Sequence, residues 1–118
     1  MARNYKALTG AQRLLAADVA RTLIAAPIAG HSVKLFRLRA TTKIAAAQPV
    51  EVAPSAGASA TNTPMTIPSN FAGFMEAVFD EGFELPAATG LVATPLAAGP
   101  EIQFTFEYSI VPVNSGIA

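Results

Sequence analysis

Ile102, Phe104, Phe106, Tyr108 and Ile110 alternate with Gln103, Thr105, Glu107 and Ser109. A period of two, carried by aromatic and β-branched residues, predicts a strand with one buried face. Five large side chains on that face need an apolar layer to lie on, which calls for a sandwich or a barrel. Gly99-Pro100 opens this strand and Pro112 ends its regular ladder.

The other segments are less regular. Val33 and Leu35 share one face while Phe36 and Leu38 share the other. Val33–Arg39 is therefore a strand with both faces buried, or one reset by a bulge near Leu35-Phe36. Ala29-Gly30 turns into it, and Leu23–Ala26 is a candidate hairpin partner. Lys43–Val52 reads as a further strand, and Pro49 inside it points to an edge position. Residues 53–64, APSAGASATNTP, form a small-residue loop without periodicity. Met65–Ile67 is a short strand closed by Pro68.

Phe71–Phe79 fits two periods. Phe71, Phe74, Met75 and Val78 make a helix face, and alternation makes a strand. Pro68 and Gly82 at its flanks favour a strand from about Gly73. Asp80-Glu81-Gly82 then reads as a turn, Phe83–Leu85 as a short extended piece, and Pro86–Gly90 as a turn into Leu91–Thr94. At the N-terminus, Thr9 with Gln12 resembles a capping box, and residues 11–20 have good helix propensity. Thr22-Leu23-Ile24 is β-like, and residues 1–10 read as an extended arm. The sum is seven or eight short strands separated by turn signals, an all-β antiparallel sandwich or barrel. At 118 residues it makes a single domain over 11–118 behind the arm.

Composition adds one point. Apolar residues make up 52% of the chain and charged ones only 14%, against roughly 25% charged in an average soluble domain. So sparse a charge supply leaves much of the surface to Ala, Thr, Ser, Pro and Val, and extended apolar surface marks interfaces. An oligomer or a component of an assembly is expected. There is no cysteine, hence no disulfide framework and no thiolate metal site. No apolar run is long enough for a transmembrane helix, and the first residues lack the hydrophobic region of a signal peptide.

The order of charges matters more than their number. All eight lysines and arginines precede residue 44, and seven of the eight acids follow it. The zero net charge therefore covers a basic beginning, opposed only by Asp18, and an acidic remainder. Such a chain can dock to its own copies or to an acidic surface through complementary patches. Alternatively, the two halves pair inside one domain and neutralise each other. The interface residues this picture nominates are Arg3, Tyr5 and Lys6 on the arm, Arg37 and Arg39 on the strand, and the acids Glu76, Asp80, Glu81 and Glu84.

Candidate chemistry is thin. His31, the sole histidine, follows a turn and has no HxH or HExxH context. Ser32 beside it lies in no GxSxG elbow. Asp80, Glu81 and Glu84 lack the regular spacing of a calcium loop, and a glycosidase pair would need a cleft that so short a chain rarely builds. A solvated acidic turn, or one facing a basic neighbour, accounts for them. The glycines are too scattered for a phosphate loop. Lys34, Arg37, Arg39 and Lys43 around Phe36 imitate a basic stacking strand, but a pI near 6.6 argues against nucleic acid. No enzyme activity, no cofactor, no nucleic acid and no membrane partner is expected.

One stretch has a familiar order. Arg21-Thr-Leu-Ile-Ala-Ala-Pro-Ile-Ala-Gly-His-Ser-Val-Lys-Leu-Phe-Arg-Leu-Arg resembles a hairpin found in small structural proteins of tailed bacteriophages. Thr63-Pro-Met-Thr-Ile-Pro is similar to their proline-marked strand, and Gly82-Phe-Glu-Leu-Pro-Ala-Ala-Thr-Gly-Leu to their GFE turn. Ile102–Val111 matches their final alternating strand. The resemblance spans residues 21–111; His31 departs from it where a lysine is frequent, and loop 53–64 is longer. It implies a jelly-roll-like β-sandwich that decorates or cements a phage head. It also implies a virion location on the capsid surface, a homotrimer, and partners in the major capsid protein and copies of itself. A module of a fibre or tail that binds carbohydrate or a receptor is the alternative. That role calls for exposed aromatic platforms, and the chain has no Trp.

Overall fold

A computed structural model describes residues 7–44, 48–55, 57 and 62–113. Its eight strands are β1 (Leu8–Leu14), β2 (Arg21–Ile24), β3 (His31–Thr42), β4 (Val50–Pro54), β5 (Met65–Ile67), β6 (Gly73–Glu84), β7 (Leu91–Pro95) and β8 (Ile102–Pro112). They form two four-stranded sheets, in the orders β1-β8-β3-β6 and β2-β7-β4-β5. Every pairing is antiparallel. Apart from β4 and β5, which are consecutive and paired, every connection crosses from one sheet to the other, so each sheet interleaves early and late strands. That order is a jelly roll, two Greek keys folded face to face.

The core lies between the sheets. Leu14, Leu38, Ile102, Phe104 and Phe106 come from the first sheet, and Leu23, Val50, Val52, Ile67, Leu91 and Ala93 from the second. β8 carries the predicted buried face: Ile102, Phe104 and Phe106 are buried, and Tyr108 and Ile110 are half-buried. At its far end the other face is covered too, for Ser109 and Val111 are also buried.

Of the two readings open for Val33–Arg39, the bulge near Leu35-Phe36 is the one present. β3 changes register against both its neighbours between Leu35 and Arg37, leaving Phe36 as the extra residue. Before it, Val33 and Leu35 are buried; after it, Leu38, Ala40 and Thr42 are. On β6 the same interval holds four residues, because Val78 faces Arg37 and Phe83 faces Leu35. Asp80-Glu81-Gly82 is therefore an excursion within one strand and not the turn between two strands that the sequence predicts. Gly82 has φ +86° and lies under the aliphatic stem of Lys34, where a Cβ would stand 2.7 Å from Cγ.

Further expectations change. Residues 11–20 contain no helix: Leu8–Leu14 pair with β8 from Leu8↔Tyr108 to Leu14↔Ile102. The tertiary ladder overrides helix propensity, which is a weak prior. Residues 8–10 of the expected arm belong to this strand, while residues 1–6 lie outside the described residues. Leu23–Ala26 is not a hairpin partner of β3, because β2 pairs with β7 in the opposite sheet. β4 is an inner strand between β7 and β5, not an edge. Pro49 precedes it, and Pro54 sits where only β7 pairs with it, so neither proline costs a ladder bond on both sides.

Gly10 explains how β1 joins. It stands opposite Phe106, and a Cβ there would meet Phe106 Cε1 at 2.5 Å. The ring lies across the glycine and buries itself against the strand. Gly10→Ala is expected to displace it and cost about 1–3 kcal/mol, read as a shifted urea midpoint.

Candidate functional site

The outward face of the β1-β8-β3-β6 sheet can be laid out from its register. One row runs Thr9, Glu107, Arg37, Val78; the next runs Ala11, Thr105, Arg39, Glu76; the third runs Arg13, Gln103, Thr41, Phe74. Strand alternation sends all twelve side chains away from the core. The β1–β8 half has a floor of Thr9, Ala11 and Thr105. Arg37, Arg39 and Glu107 rise beside it, forming a shallow groove.

Three nominated residues meet here. Glu76 Oε2 accepts from Arg39 Nη2 at 3.1 Å and lies 3.5 Å from Arg37 Nε. One carboxylate thus neutralises parts of two guanidiniums, and the basic and acidic halves of the chain do pair internally at this point. Exposed pairs of this kind stabilise by about 0.2–1 kcal/mol each, so their larger effect is to fix side-chain directions. Arg39 also lies 4.8 Å above the ring centre of Phe74, a cation–π contact that holds an exposed aromatic in place.

The remaining nominations scatter. Asp80 and Glu81 stand exposed on the β6 excursion. Glu84 is opposite Lys34 across the β3–β6 ladder. Arg3, Tyr5 and Lys6 lie outside the described residues. Asp18, the lone acid of the basic stretch, serves its own loop: Oδ2 accepts from Leu15 N at 2.8 Å and from Arg21 Nε at 3.1 Å. The backbone bond to Leu15, with Arg21 beside it, holds this carboxyl below its usual range.

Sequence reasoning missed Arg13, Phe74, Val78 and Glu107. Glu107 was legible as an outward position of the alternating strand. Phe74 and Val78 were not, because aromatic and β-branched residues read as core. Here Phe74 is 54% exposed and Val78 55%.

No acid–base constellation assembles around the remaining described groups. His31 Nδ1 is 3.4 Å from Ala29 O, within its own turn. Among the described residues no three metal-ligating side chains come together. A cleft at one rim of the sandwich is bordered by Arg13, Thr41, Lys43, Glu101 and Gln103, with Glu101 its single acid. No described helix is long and apolar enough to cross a membrane.

Comparison with known proteins finds likeness in structure alone. No protein-family model matches the chain, and no curated protein matches it. A chain of the acid-stable capsid structure of Helicobacter pylori bacteriophage KHP30 superposes with a TM-score of 0.65. It is 12% identical, over 89% of each chain. A chain of the capsid asymmetric unit of cyanophage Pam1 aligns at 13% identity over 90% of this chain and 84% of its own, with a TM-score of 0.49. At such identities the first likeness establishes the shared fold.

Proposed function

We propose that this chain is a structural virion protein of a tailed phage, a decoration or cement protein that stabilises the head through contacts between subunits. The observation that carries the reading is the two-sheet strand order, which aligns over 89% of its length with a chain of a phage capsid structure. A fold alone hosts many functions, so the surface must agree with the role. Its charged residues are few. One outward sheet face combines small residues, guanidiniums fixed by Glu76, and exposed Phe74 and Val78. Such a face suits a protein partner, since arginine and aromatic residues are enriched where proteins meet. Copies of the chain, as a trimer, and the major capsid protein are the partners on this reading, on the outer surface of the shell.

The N-terminal segment extends the same role. Arg3, Tyr5 and Lys6 provide two positive charges and one aromatic anchor. They precede the strand at one edge of the sheet and reach an acidic neighbour, either a second copy's Glu76–Glu84 stretch or a capsid patch. Deletion of residues 2–6 is expected to leave the fold intact by circular dichroism and to weaken attachment to particles stripped of this protein. The loss is largest at low salt, because screening reduces such contacts over a Debye length of about 8 Å at physiological ionic strength. Equal attachment of the full and shortened chains at low and high salt would remove the arm from the account. The truncation stops before Leu8 so that β1, with Gly10 under Phe106, is spared.

A further inference from the structure

β6 is an edge strand of twelve residues. Among the described residues, nothing but β3 bonds to its backbone from Gly73 to Val78. Edge strands of that length are usually blunted by charge, proline or a bulge, because a free row of N–H and C=O groups templates further pairing. The far half of β6 is blunted in this way, by the excursion at residues 79–82 and its acids Asp80 and Glu81. The near half is regular, contains no proline, and presents Phe74 and Val78 to solvent. Its single charge, Glu76, is already held by Arg37 and Arg39.

We infer that the Gly73–Val78 half of β6 pairs antiparallel with the same segment of a second copy about a twofold axis. This interface goes beyond the virion role and is read from the strand itself. The best register puts Phe74 of each copy opposite Val78 of the other, with Glu76 on the axis. That arrangement covers both exposed apolar side chains at once. A shift by two residues in either direction leaves at least one of them opposite a charge or beyond the paired stretch. Glu76 can face its mate because two guanidiniums flank each carboxylate.

Charge selects the same register. In it Asp80 of one copy comes alongside Ala72 of the other. Lys43 follows Thr42, the partner of Gly73 in the β3–β6 ladder, so it flanks that position one strand further in. Asp80, Glu81 and Lys43 are exposed, and none has an ion-pair partner among the described residues. Two symmetric acid–lysine contacts then close the ends of the pair, and the acidic excursions of the two copies lie at opposite ends. The paired stretch is short, so free copies associate weakly and only at high protein concentration. The pairing strengthens where copies are held together, as on a common surface.

The chain lacks cysteine, so disulfide trapping reads the register directly. Phe74→Cys and Val78→Cys proteins are mixed under mild oxidation, with Thr66→Cys on the edge strand of the other sheet as the control. The mixed Phe74→Cys/Val78→Cys dimer is expected to form at least about tenfold faster than the Thr66→Cys dimer, reflecting the raised local concentration of facing thiols. It should also form faster than either variant crosslinks to itself. A mixed rate no greater than the control, or a faster Phe74→Cys self-crosslink, overturns the pairing or its register. Separately, Phe74→Lys/Val78→Lys should reduce the concentration-dependent rise in mass by sedimentation, with the far-ultraviolet dichroism unchanged. An unaltered mass curve in that variant contradicts the inference.

Discussion

Gly90→Ala will destabilise the sandwich by about 3 kcal/mol or more, near the upper end of overpacking effects. Gly90 is buried where β2, β4 and β7 converge, immediately before Leu91. A Cβ there would run into the carbonyl oxygen of Ile24, with Ala26 N at 2.8 Å and Ala25 C at 3.0 Å. All three are backbone atoms, so no rotamer change relieves the clash. Gly90 cannot retreat either. Its N–H donates to Ser55 Oγ at 3.0 Å, and its carbonyl accepts from Ser55 N at 2.9 Å. The substitution forces β2 away from β7 or tears the contact to the end of β4. Urea unfolding beside Gly30→Ala provides the control. Gly30 has φ +83°, but an added Cβ would meet nothing within 4 Å, so its cost is backbone strain of about 1–2 kcal/mol. If Gly90→Ala costs no more than Gly30→Ala, the strands do not approach so closely.

Phe104→Ala is expected to cost about 3–5 kcal/mol, transfer and cavity terms together. Phe104 is fully buried, with Gln12 and Ala40 as its lateral partners on β1 and β3. Small Ala40 beside it on β3 leaves the ring its space. Thr105, the next residue, faces outward and is exposed. Thr105→Ala should stay within about 0.5 kcal/mol, as surface changes do. Comparable small losses in both variants would mean the strand is turned over.

Those two experiments probe different levels of legibility. The inward set on β8 was readable because aromatic residues alternate with polar ones over nine positions, a signal no helix produces. The reset at Phe36 was readable for the same reason, since alternation that changes phase within a strand has few causes. Gly90 was not readable: its role depends on Ile24 arriving from a strand sixty-odd residues earlier, and sequence spacing carries no trace of that approach. The same limit explains β1, whose local signals favour helix while its pairing with β8 decides otherwise. It also explains Pro49, which marks a strand's beginning and not an edge. In Asp80-Glu81-Gly82 the residue types of a turn serve a bulge, because the chain needed extra length opposite Phe36 and no reversal.

The candidate site was half legible. Arg37, Arg39 and Glu76 were selected as charges in search of a partner, and they found one another across the β3–β6 ladder. What composition concealed was Phe74 and Val78. Hydrophobicity predicts burial in general, and an exposed apolar pair on a free edge becomes visible only when the register is known. That pair is what the proposed edge pairing of two copies rests on.

On the proposed reading, this chain is part of a phage particle's shell. Cryo-electron microscopy of virions assembled with and without the protein tests it most directly. Ordered density into which this eight-stranded sandwich fits is expected on the outer surface of the complete shell. That density should vanish from particles lacking the chain, which should also rupture at lower temperature. Identical shells in the two preparations, with equal thermal endurance, would contradict it.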